Sequence, residues 1–295
     1  MMNIDGVFSG GGIKGFALIG AYGVLEQRGF TFNRLAGTSA GAIMAALIAV
    51  GYTSKEIETL LDETDMKIFL DQRTTLLPFA IAKWLLLYWR MGMYRGNELE
   101  EWLGKKMADK GVYTFKDLPN GKLRLIASDL STGRLIVLPD DLESYGIPKE
   151  TFPVARAIRM SCGIPFFFEP IKLRSLSGEN IIVDGGLLSN FPMWLFENKD
   201  KKKSRPVLGI KLSFNMEEQP KRVIKNGLSL FEALFSTMKD AHDARYISRK
   251  HEKDIIFIPI DESFSTEFFL SEEKKHALIE KGREKTIEFL KTWSF

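Results

Sequence analysis

The residues Gly37-Thr38-Ser39-Ala40-Gly41 set one serine between small flanks, in a run that passes from apolar extended chain into an apolar helix pattern. Small flanks allow a turn sharp enough to push a serine Oγ clear of the backbone, the arrangement of a nucleophile elbow. The helix starting at Ala40 would aim its positive end at that oxygen. A second cluster, Gly10-Gly11-Gly12-Ile13-Lys14-Gly15, stands one strand earlier. Glycines at a strand-to-helix turn leave backbone N–H groups bare, forming a nest for a dinucleotide pyrophosphate, a mononucleotide phosphate or the oxyanion of acyl transfer. The third cluster is Asp184-Gly185-Gly186, a carboxylate directly after the apolar run Ile181-Ile182-Val183. The carboxyl end of a buried strand is where open α/β sheets keep their sites.

The two nucleotide readings of the glycine cluster fail on their neighbours. A dinucleotide fold needs an acid about 20 positions further on, at the end of the second strand. That strand ends instead in Leu35-Ala36-Gly37-Thr38-Ser39. A Walker loop needs Lys-Ser/Thr after its last glycine, and here Phe16 follows Gly15. For activation of Ser39, Asp184 and then His242 follow the order of an α/β-hydrolase triad. That fold requires several strands ahead of its nucleophile, yet only 36 residues precede Gly37. His242, His251 and His276, the three histidines, fall in or beside charged helical stretches and read as solvated helix-face residues. The alternative base is a carboxylate, Asp184, although Asp-Gly is also a common turn.

The elements that must carry these residues alternate. Ile4–Phe8 reads as a strand, Gly15–Arg28 as a helix, Phe32–Ala36 as a strand and Ala40–Val50 as a helix. Such alternation predicts a parallel sheet with helices on both faces. Further strands are expected at Leu123–Ala127, Leu135–Leu138, Ile181–Val183, Val207–Phe214 and Ile255–Ile260, and helices at Leu228–Lys250 and Glu272–Thr292. Turn formers mark loops at Pro139–Pro148, Ser175–Asn180 and Asn215–Asn226. With 295 residues, 45% of them apolar, and no linker or repeat, the chain is expected to form one domain over residues 1–295.

Composition narrows the partners. Forty-one basic against 38 acidic residues leave a net charge of +3, which provides no whole-protein field for nucleic acid. The single cysteine, Cys162, and the three histidines speak against a disulfide framework and a metal cluster, so no metal and no cofactor is expected. Met1-Met2-Asn3-Ile4-Asp5 shows no basic region before an apolar run, and the expected location is cytoplasmic. Leu76 to Arg90 is the greasiest stretch. Too short and too interrupted for a membrane span, it fits an interfacial helix, an acyl-site lid or a packed helix. Lys199 to Arg205, with five Lys or Arg in seven positions, reads as a solvated loop, with anionic lipid headgroups as a second reading.

Taken together, Gly10–Gly15, Gly37–Gly41 and Asp184–Gly186 resemble the three motif blocks of the patatin-like phospholipases. Ser128-Asp129-Leu130-Ser131-Thr132-Gly133 and Arg159-Met160-Ser161-Cys162-Gly163-Ile164-Pro165 resemble two further stretches of that family. The resemblance runs from about Ile4 to Phe191 and is continued by the strand Val207–Phe214; it is weak beyond about Asn226, and residues 228–295 are expected to complete the domain. It implies a three-layer α/β/α domain with a mainly parallel central sheet, and a serine acyl-ester hydrolase. Ser39 would be the nucleophile, Asp184 the base, and Gly10, Gly11 and Gly12 the oxyanion loop. Lys14, Gly15, Gly37, Gly41, Gly185 and Gly186 would support those motifs. Lys14 stands where many members have arginine, and Ser9 where plant members have aspartate. The implied substrate is phospholipid or lysophospholipid met at a membrane surface, the inner face for a cytoplasmic protein. A soluble carboxylesterase or thioesterase, and a silent lipid-binding module, are the alternatives.

Overall fold

The computed structural model describes residues 2–71, 87–175, 178–197, 205–213, 224, 227, 230, 233–238, 252–260 and 270–294. His242, His251, the loop at 215–223, and most of the 76–90, 199–205 and 228–250 segments lie outside the described residues.

Ten strands and six α-helices are described: β1 Met2–Phe8, α1 Phe16–Gln27, β2 Phe30–Thr38, α2 Ala40–Ala49, α3 Ser54–Asp62, β3 Gly92–Tyr94, α4 Asn97–Ala108, β4 Leu123–Asp129, β5 Arg134–Leu138, α5 Val154–Ser161, β6 Phe166–Phe168, β7 Ile171–Ser175, β8 Gly178–Asp184, β9 Val207–Ser213, β10 Ile255–Pro259 and α6 Glu272–Leu290. The main sheet runs β10-β9-β1-β2-β4-β8-β7, with β5 also paired to β4. Its first five strands are mutually parallel. Strands β5, β7 and β8 join it antiparallel. Helices flank the sheet in a three-layer α/β/α arrangement. Beside it, β3 and β6 form a two-stranded parallel ribbon.

An inner strand shows why the sheet is layered on both faces. In β1, Ile4, Val7 and Phe8 have no exposure, as expected for a parallel strand covered on both faces. Helix α1 is apolar nearly all round, and every residue from Phe16 to Leu25 is buried. It can be, because α6 packs over it. Gly20 lies so close to the Ile279 carbonyl, and Gly282 to the Ala17 carbonyl, that a Cβ at either would overlap backbone. Ser271 caps α6 by accepting from Lys274 N–H at 3.4 Å.

The stretch Ser175–Asn180, expected as a loop, instead holds the last residue of β7 and the first three of β8. Ile171 and Leu173 point inward while Lys172 and Arg174 face out, and Ser175 pairs with Gly178. Among the described residues, no helix is long and apolar enough to cross a membrane.

Candidate active site

Strand β2 ends at Thr38 and α2 begins at Ala40, so Ser39 alone makes the turn. It does so at φ 54°, ψ −125°, a left-handed conformation that costs a non-glycine residue on the order of 1–3 kcal/mol. The flanking glycines are sterically required. A Cβ on Gly37 would overlap the Gly41 carbonyl, and one on Gly41 would overlap the carbonyl of Phe8. Both sides of Ser39 are tied down. Its N–H donates to Ser161 Oγ at 3.0 Å. Its carbonyl accepts the Ala42 and Ile43 amides of α2 and the Cys162 thiol at 3.2 Å.

Strand β4 brings Asp184 to this turn. One edge of β4 is occupied by β5 along Leu125–Asp129. The opposite edge is shared: β2 pairs with Leu123–Ile126, and β8 continues over Ala127–Asp129 in the opposite direction. Thr38 therefore faces Ile126 and Asp184 faces Ala127. The carboxyl ends of β2 and β8 meet head to head, at strand positions roughly 3.3 Å apart. Gly185 then turns past β4 so tightly that a Cβ would overlap the Ile126 carbonyl. Asp184 is 1% exposed. Its Oδ1 accepts the Gly186 N–H at 2.7 Å, and its own N–H donates to the Gly163 carbonyl at 2.9 Å.

The glycine cluster leaves β1 against the same turn. A Cβ on Gly10 would stand 3.2 Å from both Ser39 Cβ and the Thr38 carbonyl. Ser9 is anchored to β9, donating its N–H to the Ile210 carbonyl and accepting the Leu212 N–H on Oγ. Gly10 N–H donates to the Asn190 carbonyl at 3.0 Å. Beyond it, Gly11 is extended and Gly12 has φ +56°. Among the described residues, the Gly11 and Gly12 amides donate to no protein acceptor. Lys14 and Gly15 close a 3-10 turn into α1, with Gly15 against Ala40 at the head of α2.

Sequence reasoning overlooked Asn190. It backs the glycine loop through its carbonyl, and its Oδ1 occupies the space that a Cβ on Gly10 would need. Nothing in Ser189-Asn190-Phe191-Pro192 forms a pattern beyond two polar residues ahead of two apolar ones. Arg159, another residue with no role read from sequence, is fully buried. Its guanidinium donates to the carbonyls of Arg95, Gly96 and Glu169 and lies 4.6 Å from the Phe168 ring centre. Burial pulls it down to about 10. Burial, seconded by the Asp184 charge, pushes the Cys162 thiol well up. His276 lies exposed on α6. Among the described residues no three His, Cys, Asp or Glu side chains gather as metal ligands would.

A mixed, mainly parallel sheet with a serine on a strained strand–helix turn beside a glycine loop belongs to the α/β class of acyl hydrolases. A model of patatin-like phospholipases matches residues 6–196. The chain belongs to that family, whose members are lipid hydrolases. It is 56% identical to YqhO of Bacillus subtilis over 294 residues, 100% of both chains. With the cUMP-AMP-activated phospholipase of Escherichia coli it shares 26% identity, over 93% of this chain and 88% of the relative. Its fold is similar to that of VipD from Legionella pneumophila, at a TM-score of 0.56 and 17% identity, covering 98% of this chain and 67% of VipD.

Proposed function

We propose that the protein hydrolyses carboxylic esters of phospholipid or lysophospholipid through a Ser39–Asp184 dyad. The observation that carries this reading is the head-to-head meeting of β2 and β8 on one edge of β4. Asp184 accepts the Ser39 proton as Oγ attacks the ester carbonyl, forming a tetrahedral adduct. The Gly11 and Gly12 amides are the donors for its oxyanion, since the Gly10 amide is spent on Asn190. Protonated Asp184 then gives its proton to the leaving alcohol. Water repeats the sequence on the acyl-enzyme and releases fatty acid. The N-terminus of α2 and the burial of Ser39 and Asp184 strengthen each of these interactions. Contact with a lipid surface is supported by Tyr88 and Trp89, which are 78% and 72% exposed, sit edge to face at 5.1 Å and precede exposed Arg90.

The test is fatty-acid release from phosphatidylcholine vesicles and lysophosphatidylcholine micelles, wild type against Ser39→Ala. The expected outcome is release that falls by roughly 10⁴-fold or more in the variant. Release that survives Ser39→Ala sinks the dyad. Ser39-dependent turnover of short soluble esters, with none of either lipid, points to the carboxylesterase alternative.

A further inference from the structure

Three consecutive residues, Ser161-Cys162-Gly163, touch both members of the proposed dyad, and the chemistry above gives them no part. Ser161 has no exposure and sits at the last position of α5. Its hydroxyl donates to the Ile126 carbonyl at 2.6 Å and accepts the Ser39 N–H at 3.0 Å. Its proton is thereby committed to β4, and a lone pair is left facing Ser39. Cys162 Sγ donates to the Ser39 carbonyl on the other side of that residue, at 3.2 Å. The Gly163 carbonyl accepts the Asp184 N–H at 2.9 Å. Ile126, the third member held by Ser161, is the β4 residue that faces Thr38 and adjoins the partner of Asp184.

We infer that Ser161-Cys162-Gly163 is a brace that sets the Ser39 nucleophile against Asp184, with the Ser161 hydroxyl as its principal positioning group. The inference rests on the dyad reading. A residue at φ 54° would relax toward an ordinary conformation if its peptide groups were released, and relaxation would swing Oγ away from the carboxylate. The brace opposes this from both peptide neighbours at once. Its own footing is firm. Two residues back on α5, Arg159 grips the carbonyls of Arg95, Gly96 and Glu169, so the end of the helix cannot follow Ser39 if it moves. Replacing Ser161 by alanine removes no group that touches substrate. It leaves the Ser39 N–H and the Ile126 carbonyl buried without this partner.

The experiment uses the full chain and two readouts: steady-state lysophosphatidylcholine hydrolysis, and the rate at which a fluorophosphonate probe labels Ser39. Ser161→Ala is expected to lower kcat about 10- to 100-fold with KM changed by less than about 3-fold, and to slow labelling in parallel. Ser161→Thr, which keeps a hydroxyl, restores most of both rates. A purely structural role would move only the melting temperature. Unchanged kcat and labelling per folded Ser161→Ala molecule therefore overturn the brace. Should Ser161→Ala fail to fold, Cys162→Ala and Cys162→Ser carry the test. Alanine is expected to slow labelling about 2- to 5-fold, and serine, a stronger donor, to restore it. Equal rates in the two overturn the proposal. Ser39→Ala is run alongside. Labelling and turnover that persist in it sink the dyad and the brace together, whereas Ser39-dependent rates undiminished by loss of the brace sink only the brace.

Discussion

The serine elbow and the crossing of α1 and α6 both press backbone against backbone by omitting side chains. At the elbow, Gly37 meets the Gly41 carbonyl and Gly41 meets the Phe8 carbonyl. At the crossing of α1 and α6, Gly20 meets the Ile279 carbonyl and Gly282 the Ala17 carbonyl. The device is the same and the outcome is opposite. The helices at the crossing keep ordinary helical geometry and bury Leu18, Ile19, Leu278 and Ile279 around the contact, so closeness there becomes stability. The elbow holds Ser39 in a left-handed conformation, among buried polar groups that each need a partner. Closeness there consumes stability to hold the geometry that the proposed dyad needs. Substitutions at the two sites should accordingly separate activity from folding.

The largest separation is expected at the catalytic end. Asp184→Asn keeps the size of the side chain and an oxygen to accept the Gly186 N–H, but it cannot take a proton from Ser39. Turnover should fall roughly 10³- to 10⁴-fold. Thermal melting should stay within a few degrees of wild type, as it does for effects well under about 1 kcal/mol. Kinetics and a melt on the same preparation check both halves. Turnover near wild type would mean that another group is the base.

The helix crossing should show the reverse. Gly282→Val drives two methyls into the Ala17 backbone, and α6 must lift off α1. Overpacking of this kind is expected to cost about 2–4 kcal/mol, read from a lowered urea midpoint at unchanged slope. Gly282 meets the Ala17 backbone and no residue of the elbow, so kcat/KM per folded molecule should remain within about 2-fold. A large loss of kcat/KM in fully folded variant would show that the two regions are coupled, and the comparison would break.

The same contrast marks what could be read from the sequence. The elbow, the glycine loop and the aspartate were legible because each needs particular residue types at local spacing, next to a strand or helix that announces itself by apolar pattern. Their meeting was not. Ser39 and Asp184 come together only because β8 runs antiparallel and shares an edge of β4 with β2, and pairing direction leaves no mark on a short apolar run such as Ile181-Ile182-Val183. The strand Ile171–Ser175 was missed for a related reason: with two inward residues it is too short to display a period. Gly20 and Gly282 read only as glycines tolerated inside helices, since nothing local pairs two positions so distant in sequence. Ser161 acts through its hydroxyl, and Asn190 through its carbonyl and side-chain amide, contacts that no periodicity or composition reports.

The smallest expected effect sharpens the comparison most, because it isolates the strain from the chemistry. Ser39→Ala and Ser39→Gly both remove the hydroxyl and both should be inactive. They differ in Cβ, the atom that makes φ 54° unfavourable. Alanine keeps the penalty, and glycine removes it. Glycine also frees the unfolded chain, which returns about 0.5–1 kcal/mol of any gain. Against a strain on the order of 1–3 kcal/mol, Ser39→Gly should be more stable than Ser39→Ala by about 1 kcal/mol. Paired urea titrations of the two inactive variants resolve a difference of that size. If the alanine variant is equal or more stable, Ser39 is unstrained, and the elbow, like the helix crossing, holds its shape at no cost. A difference in favour of glycine means that the fold carries a standing penalty at one residue, which has a use only while a hydroxyl is there to be aimed.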